Sequence, residues 1–379
     1  MRKILVALLS LLMVVGCSSS KGSDGLKVGV NLELTGAVAD YGNSELTGVE
    51  LAVKLANASG GVLGQDITMV KLDNKSDAAE AQSVFVKLAE VEKVSAVISP
   101  ATSGATAAVY SIADEFGIPT VGASATADGI TQDANGSVYE NAFRVCFLDS
   151  FQGIAMAKFA KDNLNATKAV VLGDSSSDYA KGLRENFVKT FKSNGGTIVA
   201  EESYVAGDKD FNAALTKIKG LDIDVVYIPG YYAEAGLIIK QARALGIDCP
   251  ILGGDGFDSP SLLDVAGSSA LNDVYFTTAY TTVTTDPQVL KFVEDYKTEY
   301  KKDPDMFAAL AYDAFNLIID ATKRANSNDP AKIQEALVAT KGFKGVTGTI
   351  TFDELHNAIK SVLVVELVDG VQSNSIEVK

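Results

Sequence analysis

At 379 residues the chain exceeds what one ordinary core organises and suits two domains. Hydrophobic residues make up 47% and charged residues 21%, a globular composition and not that of a disordered chain. A net charge of −15 without a basic stripe argues against nucleic acid as a partner and reads as a solubility feature.

The N-terminus is a unit of its own. Arg2 and Lys3 precede an apolar run from Ile4 to Val15, too short to span a bilayer as a mature helix. The run ends in "VVGC" at Cys17, followed by "SSSKGS". This pattern resembles the lipobox of bacterial lipoproteins. The resemblance implies a signal peptide over residues 1–16, cleaved before Cys17, and a diacylglycerol on the Cys17 sulfur. Residues 17–25 then form the lipidated Cys and a flexible tether, which anchors a protein to a membrane without spanning it.

From Leu26 onward strand-like and helix-like segments alternate. "KVGVNLEL" reads as a strand. "SELTGVELAVKLANAS" places Leu46, Val49, Val53 and Ala56 on one helical face, and Gly60–Gly61 stop it. "ITMVKLD", a helix over 78–91, "SAVIS", a helix over 103–116, "IPTVGA" and "NAFRVCF" continue the series. A second series follows: helix 151–163, "KAVVLG", helix 179–193, "TIVAEESY", helix 210–219, "DVVYIPG", helix 232–245 and "ILGGD". Strands separated by helices of this length form βαβ units and parallel sheets covered on both faces. Two such series predict an α/β protein with two doubly wound, Rossmann-like lobes. Residues 287–341 hold three helices, and "GTITFD" and "SVLVVELVDG" close the chain as strand-like runs. Cys146 and Cys249 read as buried free thiols, and His356 as a surface residue in a polar turn.

Ligands of open α/β sheets bind outside the C-terminal ends of the strands, so the strand-to-helix turns carry the functional information. In the first series these are "LTGAVADYGNS" with Tyr41, "SPATSGAT" with Ser103, and "GASATADG" with Ser124, Ala125 and Thr126. They offer hydroxyls and helix-start N–H groups, which suit an anion. In the second series they are "GDSSSDYAKG" with Tyr179, "PGYYAEAG" with Tyr231 and Tyr232, and "GGDGFDSP" with Asp255. Phenols and a carboxylate suit an ammonium. An anion wall facing a cation wall suits a zwitterion, of which a free α-amino acid is the simplest. Each turn taken singly also reads as capping and turn chemistry; Asp255 in particular could cap the helix near Ser259.

Enzyme readings find less support. No G-x-S-x-G elbow, phosphate-binding loop or metal-ligand cluster occurs, and a Ser–His–Asp triad would have to recruit the lone His356. The chain therefore reads as a non-enzyme without cofactor or metal.

With "TGAVADYGNSELTGVELAV", "GYYAEAGLIIKQARALG" and "GTITFDE" taken together, residues 26–370 resemble the leucine/isoleucine/valine-binding proteins that feed ABC importers. The resemblance implies the type I periplasmic binding protein fold, two α/β lobes joined by three crossover strands. Lobe 1 would comprise 26–145 plus 280–353, and lobe 2 would comprise 146–279 plus 354–379. It places Ser103, Ser124, Ala125 and Thr126 on the ligand carboxylate, Tyr179, Tyr231 and Asp255 across the cleft, and Tyr41 as an aromatic lid. Asp255 stands where better-known members carry Glu. Ser76 and Thr102 stand where those members carry a disulfide, and Ala101 and Thr102 replace bulkier residues at the side-chain pocket. The expectation is a monomeric, extracytoplasmic lipoprotein of the cell envelope that binds a branched-chain or small neutral amino acid and delivers it to a membrane permease. A sensory receptor module of the same fold is the nearest rival; it would normally continue into a transmembrane helix and signalling domain, and none follows before "SIEVK". An amidase or hydrolase is the rival from another class.

Overall fold

A computed structural model describes residues 25–378. The expected signal peptide over 1–16, Cys17 and all but the last residue of the tether lie outside the described residues. Among those described, no helix is long and apolar enough to cross a membrane.

The first series forms β1 (Lys27–Leu32), α1 (Ala39–Ala58), β2 (Thr68–Asp73), α2 (Ala78–Lys87), β3 (Ala96–Ile98), α3 (Ser103–Phe116), β4 (Thr120–Gly122) and β5 (Ala142–Arg144). Its five strands pair in the order β2-β1-β3-β4-β5, all in parallel. β1 and β3 are buried almost throughout, as strands covered on both faces must be.

The second series forms α4 (Asp149–Asp162), β6 (Lys168–Asp174), α5 (Asp178–Ser193), β7 (Thr197–Tyr204), α6 (Asn212–Lys219), β8 (Val225–Ile228), α7 (Tyr232–Ala244), β9 (Ile251–Gly253), α8 (Pro260–Ala266) and β10 (Val274–Thr278). The chain then runs through α9 (Pro287–Tyr300), α10 (Met306–Ala325), α11 (Pro330–Val338) and the hairpin β11 (Phe343–Gly345) and β12 (Gly348–Ile350). It finishes with β13 (Val362–Val368) and β14 (Val371–Val378). The second sheet has seven strands in the order β14-β13-β10-β9-β8-β6-β7. Its β6–β10 core is parallel, and β13 and β14 add antiparallel at one edge.

Helix α10 carries the late segment back to the first lobe, where it lies along α1. Gly48 of α1 makes the approach possible, because a Cβ there would sit 2.0 Å from the Ala308 carbonyl oxygen. The chain thus passes between lobes three times: after β5, after β10 and between β12 and β13. The first and third passages touch, because Arg144 bridges to Asn357 in the backbone and donates from Nε to Asn357 Oδ1 at 2.6 Å.

His356 differs from its expected exposure. The ring is half-buried, stacks on Phe143 at 4.4 Å and places Nδ1 3.1 Å from the Ala142 carbonyl oxygen. The polar letters around it form a turn that folds inward against β5. Cys146 and Cys249 are free thiols, the first buried and the second half-buried.

Candidate functional site

In each sheet the strand order reverses once, at β1/β3 in the first and at β6/β8 in the second. Such switch points open a crevice at the strand ends. The two crevices face each other across one cavity, lined by Tyr41, Ala101, Thr102, Ser103, Ser124, Thr126, Tyr179, Tyr231, Asp255, Gly256 and Phe307. The atom-free space between these residues, counted out to open solvent, is about 230 Å³.

Seven of the eight residues expected to bind ligand line this cavity, and Ala125 does not. Ala125 is fully buried behind Ser124 and Thr126, in the turn that follows β4. The Ala125 carbonyl accepts from Arg144 Nη1 at 3.1 Å and from the Cys146 thiol at 3.3 Å.

The first-lobe wall is built around a fixed turn. The buried Glu33, immediately after β1, accepts bonds from Ala101 N, Thr102 N and Thr102 Oγ1 at 2.9, 3.1 and 2.8 Å. Burial raises the Glu33 carboxyl above its ordinary value, and these donors work against that rise. The turn aims the start of α3 at the cavity, where first-turn N–H groups have no partner inside the helix. Ser103 Oγ accepts from Ala127 N at 3.1 Å, which leaves its own proton to donate. Ser124 has less to offer: its Oγ donates to Ala101 O at 2.9 Å and lies 2.5 Å from Glu45 Oε1. Burial holds the Glu45 carboxyl well above the ordinary range. Thr35 and Ser76 meet through a hydrogen bond from Ser76 Oγ to Thr35 O at 2.8 Å, so polar contacts hold the turns at Ser76 and Thr102.

The second-lobe wall centres on Asp255, which is 2% exposed. Its Oδ1 accepts from Tyr179 Oη at 2.7 Å and from Gln152 Nε2 at 3.1 Å, which leaves Oδ2 for a ligand. Gln152 also accepts from Asp255 N at 3.0 Å and from Thr277 Oγ1 at 2.5 Å, so one amide fixes both the backbone and the side chain of the acid. The flanking glycines admit the phenol: a Cβ on Gly254 or Gly256 would lie 2.6 or 3.0 Å from Tyr179 Oη. Desolvation pushes the Asp255 carboxyl up to about 6, against the bonds from Tyr179 and Gln152. The capping alternative does not hold, because the cap of α8 is Ser259, whose side chain accepts from Ser261 N.

Aromatic rings line both walls and meet between them, where Tyr41 lies edge-on to Tyr231 at 5.5 Å. Tyr179 stacks on Tyr231 at 4.9 Å, and Tyr41 stacks on Phe307 at 4.3 Å. Tyr41 also latches the lobes: its Oη donates to the Gly256 carbonyl at 2.5 Å and accepts from Tyr232 N at 3.2 Å. Phe307, Gly256 and Gln152 were not expected from the sequence. Phe307 sits in "DMFAAL", an apolar helix start far from any strand-to-helix turn, and only the return of α10 brings it to the cleft.

The periplasmic binding protein family model matches residues 25–372. Among curated relatives, the leucine-, isoleucine-, valine-, threonine- and alanine-binding protein of Pseudomonas aeruginosa is 30% identical over 89% of this chain and 88% of its own. A Leu/Ile/Val-binding protein homolog of Brucella abortus is 31% identical over 93% of this chain and 92% of its own. Among solved structures, the branched-chain amino acid transporter substrate-binding protein LivJ of Streptococcus pneumoniae, in complex with isoleucine, is 43% identical, with a TM-score of 0.89 over 94% of this chain and 99% of its own. The leucine-binding protein LivK of Thermotoga maritima is 37% identical, with a TM-score of 0.87 over 93% of this chain and 99% of its own. The fold of two facing α/β lobes and the match over nearly the whole length agree: the chain belongs to the periplasmic binding protein family.

Proposed function

We propose that this chain is the extracytoplasmic substrate-binding lipoprotein of an ABC importer and that it binds a free branched-chain or small neutral amino acid. The observation that carries the reading is the division of charge across one cavity. Donors from Ser103, Thr126 and the start of α3 lie on one lobe, and the Asp255 carboxylate with Tyr179 lies on the other. A zwitterion is the smallest ligand that satisfies both walls at once. Only a ligand that touches both lobes favours their closure over the open form. The relatives named for leucine, isoleucine and valine, and the isoleucine complex of LivJ, support the same ligand class.

The proposal extends to the lobes as 26–145 plus 280–353 and 146–279 plus 354–379, and to a lipid on Cys17 that keeps a monomeric protein beside a membrane permease. It includes no catalytic step. Calorimetry with leucine, isoleucine, valine, alanine and threonine, their amides and their des-amino acids tests the ligand reading. At least one free amino acid should bind far more tightly than either of its blocked analogues. Equal affinity for acid and amide would refute it. Cys17→Ala should move the protein from the membrane fraction to the soluble one; unchanged fractionation would refute the anchor.

A further inference from the structure

Arg144 ends β5 and is 0% exposed. Among the described residues no carboxylate lies within ion-pair distance of its guanidinium, and Nη2 has no hydrogen-bond partner. A buried charge without a partner is costly. Asp149 feels the Arg144 charge, but burial, then the Asp255 charge, holds that carboxyl well above the ordinary range. That direction is the opposite of what an ion pair with Arg144 would produce.

The contacts that Arg144 does make point to the cavity. Nη1 donates to the carbonyls of Ala125 and Ala127 at 3.1 and 2.7 Å, on either side of Thr126. No peptide bond in the described chain is cis. In a planar trans peptide the C=O and the following N–H point in opposite directions. Holding the Ala125 carbonyl on Arg144 therefore turns the Thr126 N–H away from Arg144, on the cavity-lining residue. The adjoining peptide serves the same wall from its other end: Thr126 O accepts from Asp149 N at 3.0 Å, and Ala127 N donates to Ser103 Oγ.

We infer that Arg144 is the counter-charge of the ligand carboxylate, a positioning residue that orients and polarises the Ala125–Thr126 peptide without touching the ligand. The inference rests on the amino-acid reading of the cleft. It explains why a fully buried arginine faces two carbonyls and no acid: its anion arrives with the ligand. The competing explanation is a brace, since Nε also holds Asn357 at the third passage between lobes.

Affinities for L-isoleucine and L-isoleucinamide separate the two. Arg144→Gln removes the charge and keeps a donor; it should weaken isoleucine about tenfold or more and change isoleucinamide by less than about twofold. Arg144→Lys, which keeps the charge, should retain the parent's preference for acid over amide to within about threefold. Asn357→Ala cuts the brace and should affect both ligands alike. Loss of acid and amide affinity in equal measure in Arg144→Gln would overturn the inference and leave the cleft reading intact. A parent that binds acid and amide equally would overturn the cleft reading, and the inference with it. If Arg144→Gln fails to fold, Arg144→Lys decides: loss of the acid preference there refutes the role of the charge.

Discussion

Asp255→Asn should make the protein more stable and nearly useless as a binder. The Asn oxygen can take the place of Oδ1 and keep the bonds from Tyr179 and Gln152, so the wall retains its shape. What disappears is the charge. In the ligand-free protein that charge is a burden. Desolvation raises the carboxyl from 3.8 to about 6, so its contribution to stability is fully present below pH 3.8 and is lost as pH rises through 6. That distance corresponds to a cost of about 3 kcal/mol above pH 6, which Asn does not bear. The ligand-free variant should therefore melt about 2 °C or more above the parent at pH 7.5. The two should converge as pH falls toward 4. Binding has the opposite sign. Removing one partner of a buried charge pair costs about 2–5 kcal/mol, or about thirtyfold to several thousandfold in Kd. Calorimetry with isoleucine measures the loss, and 3-methylpentanoate, which lacks the amino group, should lose far less. An Asn variant that binds isoleucine as tightly as the parent would show that Asp255 is not the ammonium partner.

Three further outcomes follow from the same geometry. On the proposed reading, isoleucine pairs with ionised Asp255, so affinity should fall as pH drops through 6 and be about tenfold weaker at pH 5 than on its plateau; a flat profile from pH 5 to 7.5 contradicts this. Ser103→Ala and Thr126→Ala each remove a hydroxyl from the carboxylate wall and should each weaken binding by about ten- to a hundredfold, read by calorimetry. Tyr41→Phe keeps the stack on Phe307 but leaves the Gly256 carbonyl and Tyr232 N–H unbridged. It should weaken binding about three- to tenfold and, by small-angle scattering, open the ligand-free form.

The sequence made the alternation of strands and helices, and with it the two parallel sheets, readable because each element is short, periodic and bounded by Gly, Asp or Ser. It also pointed to the turns at the strand ends, since only there do small and hydroxylic residues displace bulky ones. Ala125 shows the limit of that reading. A turn motif names a segment, but the side that each residue presents depends on the partners that hold the backbone beyond β4, here Arg144 and Cys146 on the Ala125 carbonyl. Phe307, Gln152 and Arg144 were hidden for a different reason. Each lies in an ordinary helix or strand and acquires its role from a partner more than a dozen residues away: Tyr41 for Phe307, Asp255 for Gln152 and the Ala125 carbonyl for Arg144. Burial misled the reading of His356, where neighbouring polar letters suggested solvent and the Phe143 ring took the imidazole instead.

The three passages between lobes also bear on inheritance. Neither lobe is one stretch of gene: the first is completed only by α9 to β12, encoded after the whole parallel core of the second. A single recombination breakpoint can therefore never exchange one lobe for a relative's and leave the other lobe intact. Wherever it falls inside the folded region, it leaves at least one lobe a mosaic, with α1 of one parent packed on α10 of another or β13 of one beside β10 of another. Since the two walls of the cleft belong to different lobes, new specificities in such a chain arise more readily by point substitution in the turns than by shuffling of halves.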